Sequence, residues 1–117
     1  MIKKYNKLIR DRVLEIIKEA GEKPYWRILN HKEYLKEIKK KVLEEAKELT
    51  ETKNKKELVN EIVDIQELID VLVSEIGLKK SQIKKYQKIK NKKRGGFSPQ
   101  LRIYGSYSFK KIYIEAL

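Results

Sequence analysis

Two pairs of acidic residues limit what this chain can become. Glu45 and Glu48 stand three apart, and so do Glu61 and Asp64. That spacing puts both members of a pair on one face of a helix. Each pair lies in a stretch with helical apolar periodicity. Tyr34, Leu35, Ile38, Val42, Ala46 and Leu49 mark the first stretch; Leu58, Ile62, Ile65, Leu68, Ile69, Leu72 and Ile76 mark the second. Residues 50–56 between them are polar, and the four acids are symmetric about the midpoint between Asn54 and Lys55. A turn there makes two antiparallel helices, with Glu48 level with Glu61 and Glu45 level with Asp64. Four converging carboxylates repel one another unless a hard cation sits among them. Oxygen ligands suit Mg²⁺, with Mn²⁺ as the alternative.

The rest of the chain reads as further helices. Val13, Leu14, Ile16, Ile17 and Ala20 support a short one, with Asp11 as its N-cap and Gly21 beyond its end. Pro24 breaks it. Residues 25–29, aromatic and apolar, are compatible with an extended segment or a packed loop. Tyr25 and Trp26 read as buried packing in preference to base stacking. Asn30, with Glu33 three residues on, gives a capping-box start to the second helix. Glu45 and Glu48 flank the edge of that helix's apolar stripe. The third helix is expected over 56–75, stopped by Gly77. Val59, Val63, Val71 and Val73 widen its apolar surface, so it is central to the fold or touches another subunit. Ser81 is placed to cap a fourth, lysine-rich helix, which Gly95 and Gly96 stop. The tail alternates weakly and suits a small hairpin or an extended arm. The expectation is an all-α, four-helix-bundle-like core with a short β or extended C-terminal arm, in one domain over 1–117.

Charge divides the chain. Residues 1–76 hold 17 basic and 16 acidic side chains, whereas residues 77–117 hold 12 basic and a single acid, Glu115. Of the net +12, +11 therefore belongs to the C-terminal third, and such a block suits an anionic partner. No cysteine is present, which excludes disulfides and thiolate metal sites. No run of 18 apolar residues suggests a membrane span, and the N-terminus lacks the apolar stretch of a signal peptide. A cytoplasmic location is expected.

Glu45-Ala46-Lys47-Glu48 and Glu61-Ile62-Val63-Asp64 resemble the ExxE and ExxD signatures of the all-α nucleoside triphosphate pyrophosphohydrolases, the MazG-like superfamily. Tyr5-Asn6-Lys7-Leu8-Ile9-Arg10-Asp11-Arg12 resembles the YNKLVRDKIPEII opening of a phosphoribosyl-ATP pyrophosphohydrolase-like branch. Lys93-Arg94-Gly95-Gly96-Phe97 resembles that branch's KRGGF segment. The likeness covers residues 5–104 and leaves 105–117 as an extension. Leu14 departs from it, standing where the branch has proline.

The resemblance implies metal-dependent cleavage of a nucleoside triphosphate to the monophosphate and pyrophosphate. It also implies a house-cleaning role against aberrant nucleotides, and assembly as a dimer or tetramer. Glu45, Glu48, Glu61 and Asp64 would hold the metal, and Glu44 and Glu45 are the candidate catalytic carboxylates. Glu67 matches a family position that supports the ligands, whereas Asp70 reads as surface. Lys7, Arg10 and Arg12 would clamp phosphates. Lys93 and Arg94 would do so with the backbone of Gly95 and Gly96, since glycine lets N–H groups approach an anion closely. His31 is assigned no role. A single-stranded nucleic-acid-binding protein is the rival reading, because aromatics interleave with basic residues near the C-terminus. It explains the charge and leaves the converging carboxylates without a purpose.

Overall fold

Local capping sets the helix limits. The computed structural model describes residues 6–111, 113 and 114. Tyr5 of the opening motif, Ile112 of the tail and the tail's acid, Glu115, lie outside the described residues. The elements are α1 (Val13–Glu19), α2 (His31–Thr50), α3 (Lys55–Glu75) and α4 (Lys80–Arg94). The chain is all-α, with no strand among the described residues.

Asn30 caps α2 as expected. Its side chain accepts from the Glu33 N–H at 2.9 Å, and Glu33 reaches back to the Asn30 N–H, closing the capping box. Asn54 does the same for α3, accepting from the Glu57 N–H at 2.9 Å. Two expected caps are not used. Arg12, not Asp11, is the N-cap residue of α1, without a side-chain cap bond. Lys79 precedes α4, and the Gln82 side chain accepts from its N–H at 2.8 Å, so Ser81 lies inside the helix. Gly77 ends α3 at φ +80°, a conformation only glycine adopts without strain.

The chain divides into two compact units, one ending at Ile76 and the other beginning at Gly77. In the first, α2 packs closely against α3 as an antiparallel pair. His31 at the start of α2 meets Glu75 at the end of α3, Nδ1 to Oε1 at 2.6 Å, and ties one end of the pair. At the other end a four-residue loop joins the helices. Thr52 Oγ1 donates to the Leu49 carbonyl at 2.8 Å there, and the Lys53 N–H donates to Glu57 at 2.8 Å.

The second unit contains α4 and the arm. Gly95 stops α4 at φ +74°. The arm is irregular among its described residues, so of the two expected forms the hairpin is not the one adopted.

The core of the helix pair is small. Ile38 is fully enclosed and Val73 nearly so, and they are the only buried apolar side chains among the described residues. The apolar stripe of α3 sinks only in its second half. Leu58, Val59, Ile62 and Val63 are 40–55% exposed. Tyr25 and Trp26, read as buried, stand 91% and 57% exposed. The loop between α1 and α2 leaves both rings open to solvent. Ile38→Ala is expected to destabilise the folded chain by about 2–5 kcal/mol, seen as a lower urea midpoint at fixed protein concentration.

Candidate metal and phosphate site

The α2–α3 register decides which acids meet. The loop runs from Glu51 to Asn54, so the turn is centred between Thr52 and Lys53, two residues earlier than the symmetry of the acids suggests. That shift puts Glu45 nearly level with Glu61 and leaves Asp64 one turn further along α3. Carboxylate oxygens of Glu45, Glu61 and Asp64 all lie within 4.8 Å of one another. Glu48 is exposed and outside that triad, but it presses on Glu45 from the next turn of α2.

Glu45 is the buried member, 7% exposed on the inner face of α2. Burial pushes its carboxyl up to about 7, and the adjacent carboxyls of Glu61 and Glu48 push it the same way. Glu45 Oε2 and Glu61 Oε2 are both enclosed and have no hydrogen-bond partner. Buried carboxylate oxygens without donors are costly. A hard divalent cation offers each of them a partner, and three carboxylate oxygens this close suit one ion. On these observations the residues present fit such a cation.

Cations of the chain itself border the triad. The Arg10 guanidinium donates to Asp64, Nη2 to Oδ1 at 2.6 Å. Lys7 Nζ donates to Glu44 Oε1 at 2.8 Å. The basic opening segment thus lies along the acidic edge of the helix pair, 54 and 37 residues from its partners. Lys41 stands between the acids, 3.6 Å from Glu44 and 3.8 Å from Glu45. No role was assigned to it from the sequence. The available signal was its spacing, three residues before Glu44 and four before Glu45. The Lys7 hydrogen bond holds the Glu44 carboxyl below its ordinary value, and Lys41 adds to this.

The remaining sequence-assigned residues fall elsewhere. Arg12 is exposed at the start of α1. Glu67 is exposed, and its charge acts on Tyr34, whose hydroxyl is pushed up by burial, then by Glu75 and Glu67. Asp70 accepts from Gln66 Nε2 at 2.9 Å along α3. In the second unit, Arg94 Nη2 donates to the Lys110 carbonyl at 3.2 Å, tying the end of α4 to the arm. Lys93, Gly95 and Gly96 are exposed at the same corner. Asn6, Lys7, Leu8, Glu37, Lys40, Lys41 and Glu44 line a cleft of about 90 Å³. A cleft of that size falls well short of the ~300 Å³ at which small-molecule pockets begin.

The phosphoribosyl-ATP pyrophosphohydrolase family matches residues 2–91. No curated protein and no solved structure matches the chain.

The raised Glu45 carboxyl makes metal-free stability depend on pH. Between the ordinary value of 4.5 and the folded value of about 7, the folded chain holds a proton that the unfolded chain has released. This contribution is complete below pH 4.5 and is lost as pH rises through 7. Thermal unfolding in EDTA is therefore expected to show Glu45→Gln raising Tm more at pH 8 than at pH 5. An equal shift at both values would mean that Glu45 titrates normally.

Proposed function

The chain belongs to the phosphoribosyl-ATP pyrophosphohydrolase family, and from that premise we propose that it cleaves nucleoside triphosphates to the monophosphate and pyrophosphate. Membership makes it a pyrophosphohydrolase acting on a nucleotide. The proposal adds the triphosphate substrate, dependence on Mg²⁺ or Mn²⁺, and a house-cleaning role against aberrant nucleotides in the cytoplasm. The observation that carries it is the convergence of Glu45, Glu61 and Asp64 around two buried carboxylate oxygens without partners.

In this reading Glu45, Glu61 and Asp64 hold the metal, with Glu48 completing the set from the next turn of α2. A bound divalent cation would neutralise the triphosphate and acidify the attacking water. Glu44 and Glu45 orient that water toward the α-phosphorus. Its oxygen bonds to phosphorus as the bond to the α–β bridging oxygen breaks, and pyrophosphate leaves with that electron pair. The water's proton passes to a carboxylate or to solvent.

Lys7 and Arg10, which pair with Glu44 and Asp64, exchange carboxylate for phosphate and stabilise the charge on the leaving group. Arg12 belongs to the same basic segment. For Lys93, Arg94, Gly95 and Gly96, likeness to the family's glycine-containing segment is the support for a phosphate contact.

A homo-oligomer, dimer or tetramer, is part of the proposal. Its support is the exposed row Leu58, Val59, Ile62 and Val63 on α3, beside a core of two buried apolar side chains. Such a row is expected where a second copy covers it.

Pyrophosphate release should be measured over a panel of standard NTPs, modified NTPs and phosphoribosyl-ATP. Turnover is expected with Mg²⁺ or Mn²⁺ and none with EDTA. Glu45→Gln and Asp64→Asn are expected to reduce it to background. Absence of metal-dependent turnover on every nucleotide would falsify the enzymatic reading. Arg10→Ala is expected to slow turnover on the order of 10²-fold. It should also tighten metal binding without substrate, because the guanidinium no longer competes for Asp64. In sedimentation, wild type is expected as a dimer or tetramer and Val59→Glu as a monomer. A monomeric wild type would remove the assembly from the proposal.

A further inference from the structure

The second unit carries a feature that pyrophosphate chemistry does not require. Residues 77–114 contain 12 basic side chains and no acid. Eight of these lie in the 15 residues of α4, which buries none of its side chains. Lys84, Lys88 and Lys92 follow at four-residue steps, so they share one face about 6 Å apart along the axis. Like charges at this spacing destabilise a helix, and the described part of the unit has no carboxylate to offset them. An external polyanion would.

The arm supplies flat apolar faces. Phe97, Tyr104, Tyr107, Phe109 and Tyr113 are each at least 65% exposed. Five open aromatic rings within 17 residues are not the surface of an element packed for its own stability. The Arg102 guanidinium lies 5.4 Å from the Tyr104 ring centroid, so charge and ring are presented together. Ser106, Ser108 and the tyrosine hydroxyls alternate with the rings.

A row of cations beside unstacked aromatic rings fits a ligand with regularly spaced phosphates and free base faces. A duplex keeps its bases stacked internally, whereas a single strand offers them. The interleaved hydroxyls add partners for the ribose 2′-OH, which favours RNA over DNA. We infer that α4 and the C-terminal arm bind single-stranded RNA, with Lys84, Lys88 and Lys92 along its phosphates and Tyr104 and Tyr107 stacked on its bases. This activity is separate from nucleotide hydrolysis and does not depend on it.

The test is fluorescence anisotropy of the full-length chain with a labelled 12-nucleotide oligouridylate, from 50 to 300 mM salt. Competitors are the matching DNA strand, an RNA duplex and phosphatidylserine vesicles. Wild type is expected to bind the RNA strand with a steep negative salt slope. The Lys84→Gln, Lys88→Gln, Lys92→Gln triple variant should flatten the log–log slope by about 2, at roughly 0.7 per lost phosphate contact. Tyr104→Ala and Tyr107→Ala should each weaken binding roughly fivefold or more while leaving the slope unchanged. Circular dichroism confirms that the variants keep their helices, and their pyrophosphate release should match wild type. The inference is overturned by DNA or duplex binding as tight as that of the RNA strand, or by binding to vesicles alone. Loss of affinity only in the lysine variant, with the tyrosine variants unchanged, would also overturn it.

Discussion

Everything in the first unit turns on burying a carboxylate where its neighbours are also carboxylates. Glu45 points into the seam between α2 and α3, and Glu61 meets it there with a buried oxygen of its own. Alone, this contact drives the helices apart. The pair nevertheless stays together, because it is held along its length by other means. His31 and Glu75 tie one end, Asn54 and Thr52 organise the loop at the other, and Ile38 and Val73 fill the space between. Lys41 stands within 4 Å of both Glu44 and Glu45 and offsets part of the field. In the proposed reading an unfavourable cluster kept in such a frame would act as a preformed site, since the frame prevents relaxation by separation and leaves a counter-ion as the remaining relief.

Helix-scale features were legible in the sequence because they depend on neighbours a few residues away. The periodicity of α2, its Asn30–Glu33 box and the position of Gly77 are all of this kind. The meeting of the acids was legible in kind and misjudged in register. Symmetry about residues 54 and 55 assumed a loop centred there, whereas Asn54 caps α3 and the loop lies at 51–54. Two residues of difference suffice to replace a Glu48–Glu61 pairing with a Glu45–Glu61 one. Contacts between Lys7 and Glu44 or Arg10 and Asp64 span tens of residues, and no local pattern encodes them. Only likeness to a family drew attention to the opening segment. Tyr25 and Trp26 were misread because aromatic content alone does not say whether a partner surface lies opposite.

The cationic opening segment is already paired in the free chain, which bears on how substrate would enter. Arg10 occupies Asp64, a carboxylate of the triad that would receive a metal, and Lys7 occupies the neighbouring Glu44. Both pairs are partly exposed, so each is held weakly and exchanges readily. Under the proposed function, a metal-bound triphosphate would bring cation and anion together: one would compete for Asp64 and the other for the guanidinium released from it. Exchange of this kind keeps the number of charge pairs nearly constant and avoids stranding any member at the edge of a buried site.

A core of two enclosed side chains leaves the helix pair a small reserve of stability. Ordering two helices of 20 and 21 residues and burying Glu45 both cost free energy, and only Ile38 and Val73 among the described apolar side chains are buried against that cost. The apolar row at the start of α3, left open in the single chain, offers the missing burial. It lies on the helix that carries Glu61 and Asp64, with Ile62 and Val63 between those two acids in sequence. Covering the row with a second copy would therefore stiffen the segment that sets the spacing of these two acids. In such an assembly, stability and site geometry would both depend on protein concentration.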